Sequence, residues 1–260
     1  MSNIWIAFLF TLLAGLATGI GGLIVCIMKK PDEKFLSFSL GFSAGVMIYV
    51  SLTEIFQKAL DSLSIVYDAR MAMIYTVIAF FAGMLLIALI DHMIPNEINP
   101  HEINDSETSD QALLKMGTFT ALALAIHNFP EGIATFVTTL QDPTLAVGIV
   151  VAIAIHNIPE GIAVAAPIYQ ATKSKKKAFT YAVVSGLTEP VGAVIGYLVL
   201  APFINETVFG LIFAGAAGIM VYISLDELLP TAEKYGYHHL SMVGLVLGMM
   251  LMAVSIVLFL

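Results

Sequence analysis

The chain has 260 residues, of which 59% are hydrophobic and only 12% are charged, and its mean hydropathy is +0.93. This composition is typical of a polytopic membrane protein, so we expect one transmembrane domain over residues 1–260 and not a set of soluble domains. The net charge of −8 argues against nucleic acid as a partner. Cys26 is the only cysteine, which excludes an internal disulfide bond and a metal site built from several thiolates.

Eight apolar segments follow one another along the chain, and each is long enough to cross or nearly cross a bilayer. They cover approximately residues 4–28, 35–57, 71–94, 112–139, 144–168, 178–200, 204–228 and 237–259. The connections between them are short except for an inner loop at about 95–115. The sequence therefore predicts an all-α membrane protein with eight transmembrane helices.

Lysine and arginine predict the orientation, because cytoplasmic loops carry an excess of these residues. With the N-terminus outside, only Lys58 and Arg70 lie in outer connections. The inner connections hold Lys29, Lys30, Lys34, Lys115, Lys173, Lys175, Lys176, Lys177 and Lys234. We therefore expect a multi-pass protein of the cell membrane with both termini outside.

One six-residue motif occurs twice, in the fourth and fifth segments. It reads His127-Asn-Phe-Pro-Glu-Gly132 in the first copy and His156-Asn-Ile-Pro-Glu-Gly161 in the second. Both copies lie within otherwise uncharged apolar runs, where a central charged side chain costs roughly 2.5–3.5 kcal/mol on insertion scales. A lone histidine on an apolar helix is usually a packed residue. Repetition of the whole motif favours a functional site.

The spacing within each motif places its polar side chains on one face of a helix, because residues three and four apart are neighbours. The polar sets are His127, Asn128 and Glu131 in the first copy, and His156, Asn157 and Glu160 in the second. Pro130 and Pro159 each lack a backbone N–H and are expected to kink their helices, freeing the carbonyl four residues earlier. Two such helices facing each other would form a two-metal site with bridging carboxylates. An asparagine can also hold two helices together.

A second repeat relates the two ends of the chain. Residues 44–54 match residues 217–227 at a constant offset of 173, in an Ala-Gly-x-Met-x-Tyr-x-Ser-Leu-x-Glu pattern. Residues 15–21 resemble residues 186–192 at an offset of 171. Segment 7 comes five places after segment 2 in the chain, and segment 6 comes five places after segment 1. Because five is an odd number of membrane crossings, the copies run in opposite directions. The sequence thus predicts inverted repeats, segments 1–3 and 6–8, around the central pair 4–5, as in secondary transporters.

The two halves differ where Thr18 corresponds to Glu189-Pro190. Glu189 lies near the middle of its segment, and we interpret it as a ligand of the metal on the asparagine side. Three further carboxylates near helix ends fit an ion path and a solvated helix end about equally well: Glu54, Asp226 and Glu227. The inner loop is acidic and holds His92 and His101, which fits simple disorder or transient capture of cations.

Imidazole, carboxylate and amide ligands without thiolate favour borderline divalent ions, zinc first and then iron(II), cobalt, manganese and cadmium. Calcium would need all-oxygen ligands, and copper(I) would need sulfur. We expect the ion to be transported cargo and expect no cofactor. A dinuclear centre can also activate water, so an intramembrane metallohydrolase is the alternative. The chain has no His-Glu-x-x-His motif, and an inverted repeat has no obvious role in hydrolysis, so we expect a transporter and not an enzyme.

The doubled motif on the fourth and fifth helices, with Glu189 on the sixth, resembles that of the ZIP (Zrt/Irt-like) divalent-metal transporters, in particular their bacterial zinc-uptake branch. The resemblance covers essentially all eight helices. It implies a 3+2+3 arrangement of helices, both termini outside, uptake toward the cytoplasm and a homodimer.

The resemblance also implies two metal positions. One metal is held by the residues that match His127, Glu131, His156 and Glu160. The other is held by those that match Asn128, Glu131, Asn157, Glu160 and Glu189. Relatives commonly carry a long histidine-rich inner loop, whereas the loop in this chain is short.

Overall fold

The computed structural model describes residues 2–28, 32–93, 109–141, 143–200 and 205–259. Over these ranges the chain is helical apart from short turns, and it forms eight helical rods. They are α1 Ser2–Ile27, α2 Glu33–Val66, α3 Ala69–Met93, α4 Ser109–Gln141, α5 Pro143–Thr172, α6 Lys175–Val199, α7 Glu206–Lys234 and α8 His238–Phe259.

Within the described ranges, six rods are long and apolar enough to cross a membrane: α1, α2, α3, α6, α7 and α8. The rods that carry the repeated motif, α4 and α5, are 33 and 30 residues long. Both exceed the roughly 20 residues that a transmembrane helix needs. The predicted all-helical membrane class is therefore confirmed.

Several helices are longer than their apolar segments. α2 continues to Val66 because its last part, Phe56–Val66, is amphipathic: it buries Ala59 and Leu63 and exposes Gln57 and Asp61. α4 begins at Ser109, so part of the predicted inner loop is helical. His92 lies in α3, whereas His101, Lys29 and Lys30 lie outside the described residues.

The described residues contain three π-helical segments, Gly196–Leu200 at the end of α6 and two others at positions related by the offset of 173. These two are Ser51–Ile55 in α2 and Ser224–Leu228 in α7. In each, the serine hydroxyl donates to the carbonyl four residues earlier, and the serine carbonyl accepts from the N–H five residues later. A π segment adds one residue to a turn and redirects the side chains that follow it, and such segments often occur at functional sites.

α6 is broken near its middle. Pro190 has no N–H, so the carbonyl of Gly186 loses its usual helical partner. The chain makes a turn at Leu187, and a new helical segment runs from Thr188 to Ile195. α4 and α5, in contrast, remain helical through Pro130 and Pro159.

The rods pack in two groups of four, α1, α4, α5 and α6 in one and α2, α3, α7 and α8 in the other. In the first group α1 lies along α5 and α4 lies along α6. In the second α2 lies along α8 and α3 lies along α7. Exchange of α1 with α6, α2 with α7, α3 with α8 and α4 with α5 converts each of these pairings into the other. The packing thus has the symmetry that the inverted repeat predicts.

Glycines allow the closest approaches, and they obey the same symmetry. A Cβ at Gly161 of α5 would collide with the backbone carbonyl of Thr18 in α1. Its counterpart, Gly132 of α4, faces the carbonyl of Glu189 in α6 in the same way. The backbones of the motif helices therefore touch α1 and α6 directly, which fixes the two motifs relative to these helices.

The apolar core is unequal at the two ends of the bundle. The largest cluster of buried apolar residues lies mainly toward the end where α5 meets α6, and it includes Leu40, Leu124, Ile168 and Met220. Toward the end where α2 meets α3 the described residues form only small clusters, such as Ala59 with Phe213 and Ala214. We call these the α5–α6 end and the α2–α3 end. The bundle is thus tightly packed at the first and looser at the second.

Candidate metal centre

The two copies of the motif meet in the middle of the bundle, where α4 crosses α5. His127 and Glu160 are 0% exposed, His156 is 1% exposed and Glu131 is 7% exposed. Ligand atoms of His127, His156 and Glu160 all lie within 4.8 Å of one another. That separation allows three side chains on two helices to bind one metal ion.

Glu131 lies between the two histidines. One of its oxygens is 2.9 Å from His156 Nε2, and the other is 3.4 Å from His127 Nε2. A Glu160 oxygen is 3.8 Å from the same nitrogen of His127. Each carboxylate thus approaches a histidine of the other helix, as residues that share a metal across a helix interface must.

Many polar atoms of this cluster are buried without a hydrogen-bond partner, although buried polar groups are normally satisfied. Among the described residues these atoms include both oxygens of Glu160, Nδ1 of both histidines, and one oxygen each of Asn128, Asn157 and Glu189. Burying such groups unpaired costs free energy. Metal coordination would satisfy the carboxylate and amide oxygens, so the donor set fits a divalent cation.

The two asparagines occupy equivalent positions. Asn128 Nδ2 donates to the carbonyl of Ser185 in α6 at 3.3 Å, and Asn157 Nδ2 donates to the carbonyl of Ala14 in α1 at 2.9 Å. The acceptors Ala14 and Ser185 are themselves 171 residues apart, the offset of the first and sixth segments. Each NH₂ group therefore holds two helices together, while the amide oxygen stays available as a ligand.

Glu189 joins the cluster from α6. It is 0% exposed, one of its oxygens accepts a hydrogen bond from Asn157 Nδ2, and the other has no partner in the described part of the chain. Its counterpart Thr18 is also buried, with an unpartnered hydroxyl. The structure therefore brings all seven predicted site residues into one buried region, with a carboxylate on one side and a hydroxyl on the other.

A cavity of about 40 Å³ leads from this region toward the α2–α3 end. Its walls include His127, Glu131 and His156 at the bottom and Glu54 and Lys58 of α2 nearer the end of the bundle. Glu54 and Lys58 form an ion pair with a distance of 2.8 Å. Glu54 thus lies on a path to the site, which favours the ion-path interpretation over a solvated helix end.

Sequence reasoning missed two residues of this cavity. Thr135 is buried with an unpartnered hydroxyl, and Thr138 lines the wall beside it. Their spacing gives the signal, since Thr135 follows Glu131 by four residues and shares its helix face. Glu227, in contrast, is one of the carboxylates for which a solvated helix end is an open interpretation of the sequence. Its side chain is only 2% exposed, so that interpretation is wrong for Glu227.

Known zinc transporters are similar to this chain in sequence. The family profile described as ZIP Zinc transporter matches residues 94–256. Zinc transporter ZupT of Streptococcus mutans serotype c is 59% identical over 260 residues, which cover 99% of this chain and 98% of the relative. Zinc transporter ZupT of Chlorobaculum parvum is also 59% identical, over 265 residues that cover 99% of both chains.

A third relative, with lower sequence identity, has the same name. Zinc transporter ZupT of Clostridium perfringens is 54% identical over 278 residues, which cover 100% of this chain and 98% of the relative. With its multiple apolar helices, the chain is an integral multi-pass membrane protein. Identity at this level over nearly the full length of both chains shows that the protein belongs to the ZIP zinc transporter family, in the branch of the ZupT proteins.

Proposed function

We propose that the protein takes up zinc across the cell membrane into the cytoplasm through a dinuclear site inside the bundle. The observation that carries the proposal is the buried convergence of two imidazoles, three carboxylates and two amides whose oxygens largely lack hydrogen-bond partners. The relatives named zinc transporter ZupT support zinc as the first substrate. The same donors suit iron(II), manganese, cobalt and cadmium as secondary substrates.

In this proposal both glutamates of the motifs bridge two ions. The first zinc is held by His127, Glu131, His156 and Glu160. The second is held by Asn128, Glu131, Asn157, Glu160 and Glu189. Three carboxylates nearly balance the charge of two divalent ions, which reduces the cost of burying them in a medium of low dielectric constant.

We further propose that all eight rods span the bilayer as one domain, in the 3+2+3 arrangement and with both termini outside. The distribution of lysine and arginine supports this orientation. Exposed apolar side chains along α3 and α8, such as Leu85, Leu89, Met250 and Val257, would then face lipid. Association as a homodimer is proposed from the family resemblance, and cross-linking in native membranes would test it.

Alternating access is the proposed mechanism. With this orientation the cavity reaches the site from outside, while the large apolar cluster seals the path to the cytoplasm. Inverted repeats allow two conformations of similar energy, one open to each side, because exchanging the conformations of the two halves converts one into the other. A metallohydrolase is not favoured, since the family profile that matches the chain is that of zinc transporters.

Uptake of zinc by purified protein in liposomes tests the proposal directly. We expect the wild type to load zinc, whereas Glu160→Ala abolishes uptake because it removes a ligand of both ions. His156→Ala should damage the first site and leave part of the second. If both variants accumulate zinc near the wild-type rate while remaining folded, the bridging site is wrong.

A further inference from the structure

We propose that Glu54 is an entry site for the incoming divalent cation, and that Lys58 is a tethered counter-cation that the ion displaces. The inference rests on the zinc uptake proposed above and adds a binding step before the dinuclear site. It starts from an unusual feature of the cavity, a lysine on the path of a cation.

The two side chains belong to the cavity and not merely to the protein surface. Glu54 and Lys58 line the same cavity as His127, Glu131 and His156. Their side chains are 21% and 34% exposed, so both are partly accessible to water. An ion that enters from the α2–α3 end therefore passes this pair before it meets the buried histidines.

An unpaired ammonium group at this place would repel a divalent cation by Coulomb's law. Pairing with Glu54 at 2.8 Å neutralises Lys58 and also occupies the carboxylate. Partly exposed pairs of this kind, four residues apart on a helix, are weak. A divalent ion, with twice the charge, can therefore replace the ammonium group on Glu54, after which the flexible lysine side chain extends toward water.

The local structure around Glu54 also supports the entry site. Glu54 lies within the π segment Ser51–Ile55, which changes the direction in which following side chains point. Across the cavity, Thr135 offers a buried hydroxyl that has no partner among the described residues. It lies one turn beyond Glu131, so it provides an oxygen ligand between the entry carboxylate and the dinuclear site.

The plain alternative is a salt bridge that only supports the helix. A second alternative is electrostatic steering, in which the uptake rate depends only on the net charge at the outer end of the cavity. A double-variant experiment separates these from the entry site. Initial rates of zinc uptake into proteoliposomes would be measured over a range of zinc concentrations for wild type, Lys58→Gln, Glu54→Gln and the double variant, with thermal unfolding of each. Arg70→Gln is the matched control, because Arg70 is an exposed cation near the same end but does not line the cavity.

We expect Lys58→Gln to lower KM, because the carboxylate is then free for zinc. Glu54→Gln should raise KM most, since it removes the entry ligand and leaves the ammonium group unpaired. The double variant should have a KM roughly two- to fivefold above wild type, the size of one partly exposed charge interaction. Arg70→Gln should match the wild type.

A double variant with wild-type KM would overturn the entry site, because it retains the net charge of the pair but lacks the carboxylate. Variants that lower only the unfolding temperature would also overturn it in favour of a helix-supporting salt bridge. Both results leave zinc uptake by the wild type intact. Absence of uptake by the wild type would overturn this inference together with the proposed function.

Discussion

The amide and carboxylate side chains of the buried cluster differ in how many of their polar atoms are hydrogen-bonded. Asn128 and Asn157 use their NH₂ groups to bind the backbone of a neighbouring helix and leave their oxygens free. Glu160 has no hydrogen-bond partner for either oxygen within the described part of the chain, which makes it the side chain with the most unsatisfied ligand capacity. The asparagines therefore position the helices, and in the proposed site the carboxylates would supply the negative charge that balances the metal ions.

The asymmetry between Glu189 and Thr18 leads to a prediction about metal choice. Because Glu189 lies on the asparagine side only, Glu189→Gln should weaken one metal position and change selectivity more than it reduces zinc uptake. Competition of zinc with iron(II) and manganese in liposome uptake would measure this effect. Thr18→Ser keeps a hydroxyl at the equivalent position and serves as the control. An unchanged selectivity profile with normal rates in Glu189→Gln would show that this carboxylate is not a ligand.

At the scale of helices, the apolar runs predict where each rod lies but not how it is wound. The position and length of each apolar run predict α1, α3 and α8 within a few residues. The π segments could not be predicted, because one extra residue in a turn leaves hydropathy unchanged. The break at Leu187 could be inferred only partly, since Pro190 signals a lost hydrogen bond but Pro130 and Pro159 lie in continuous helices.

Glycine contacts between α3 and α7 lead to a prediction about stability. A Cβ at Gly218 would collide with the backbone carbonyl of Phe80, whereas a Cβ at Gly215 would meet only the carbonyl of Ala79 at an ordinary 3.7 Å. We expect Gly218→Ala to reduce the free energy of unfolding by about 1–3 kcal/mol through overpacking. Gly215→Ala, on the same helix, should be neutral or slightly stabilising because alanine favours helix.

Thermal unfolding of both variants in the same detergent would compare them. The pair controls for glycine removal as such, because both positions lie in α7 and the new methyl group collides with the backbone of α3 at only one of them. Equal unfolding temperatures for the two variants would contradict the close approach of α3 and α7.

At the scale of the whole molecule, the two groups of four helices suggest which parts move together. The repeat in the sequence predicts that the motif helices form a common element against which the flanking helices move. We propose that α1 and α6 move with these two helices, since glycine contacts and asparagine hydrogen bonds attach them to α4 and α5. The grouping could not be predicted from sequence, because it depends on contacts between distant segments.

Cross-linking of the two groups tests whether they move. Thr138 of α4 and Ile212 of α7 line the cavity from different groups. With cysteines at both positions in a Cys26→Ser background, a bridge should form when the cavity closes and should stop uptake, and reduction should restore it. Liposome uptake before and after oxidation measures the effect.

A control bridge lies inside one group. The rings of Tyr67, directly after α2, and Tyr75, in α3, have centroids 4.9 Å apart. Cysteines at these two positions should cross-link without loss of uptake. If the oxidised variant with cysteines at positions 138 and 212 transports at the full rate, the cavity need not open and close during transport. A channel-like path would then replace alternating access.

The unequal core has a consequence for the metal-free protein at rest. Opening the α5–α6 end would expose a large buried apolar cluster, whereas opening the other end would separate only small clusters among the residues that the structure describes. Because exposure of apolar surface is unfavourable, the metal-free transporter should prefer the conformation in which the cavity opens to the outside. Backbone amides around Leu40 and Ile168 should then exchange with deuterium far more slowly than those around Ala59 and Phe213. A transporter with this bias would rest in the state that receives zinc from outside.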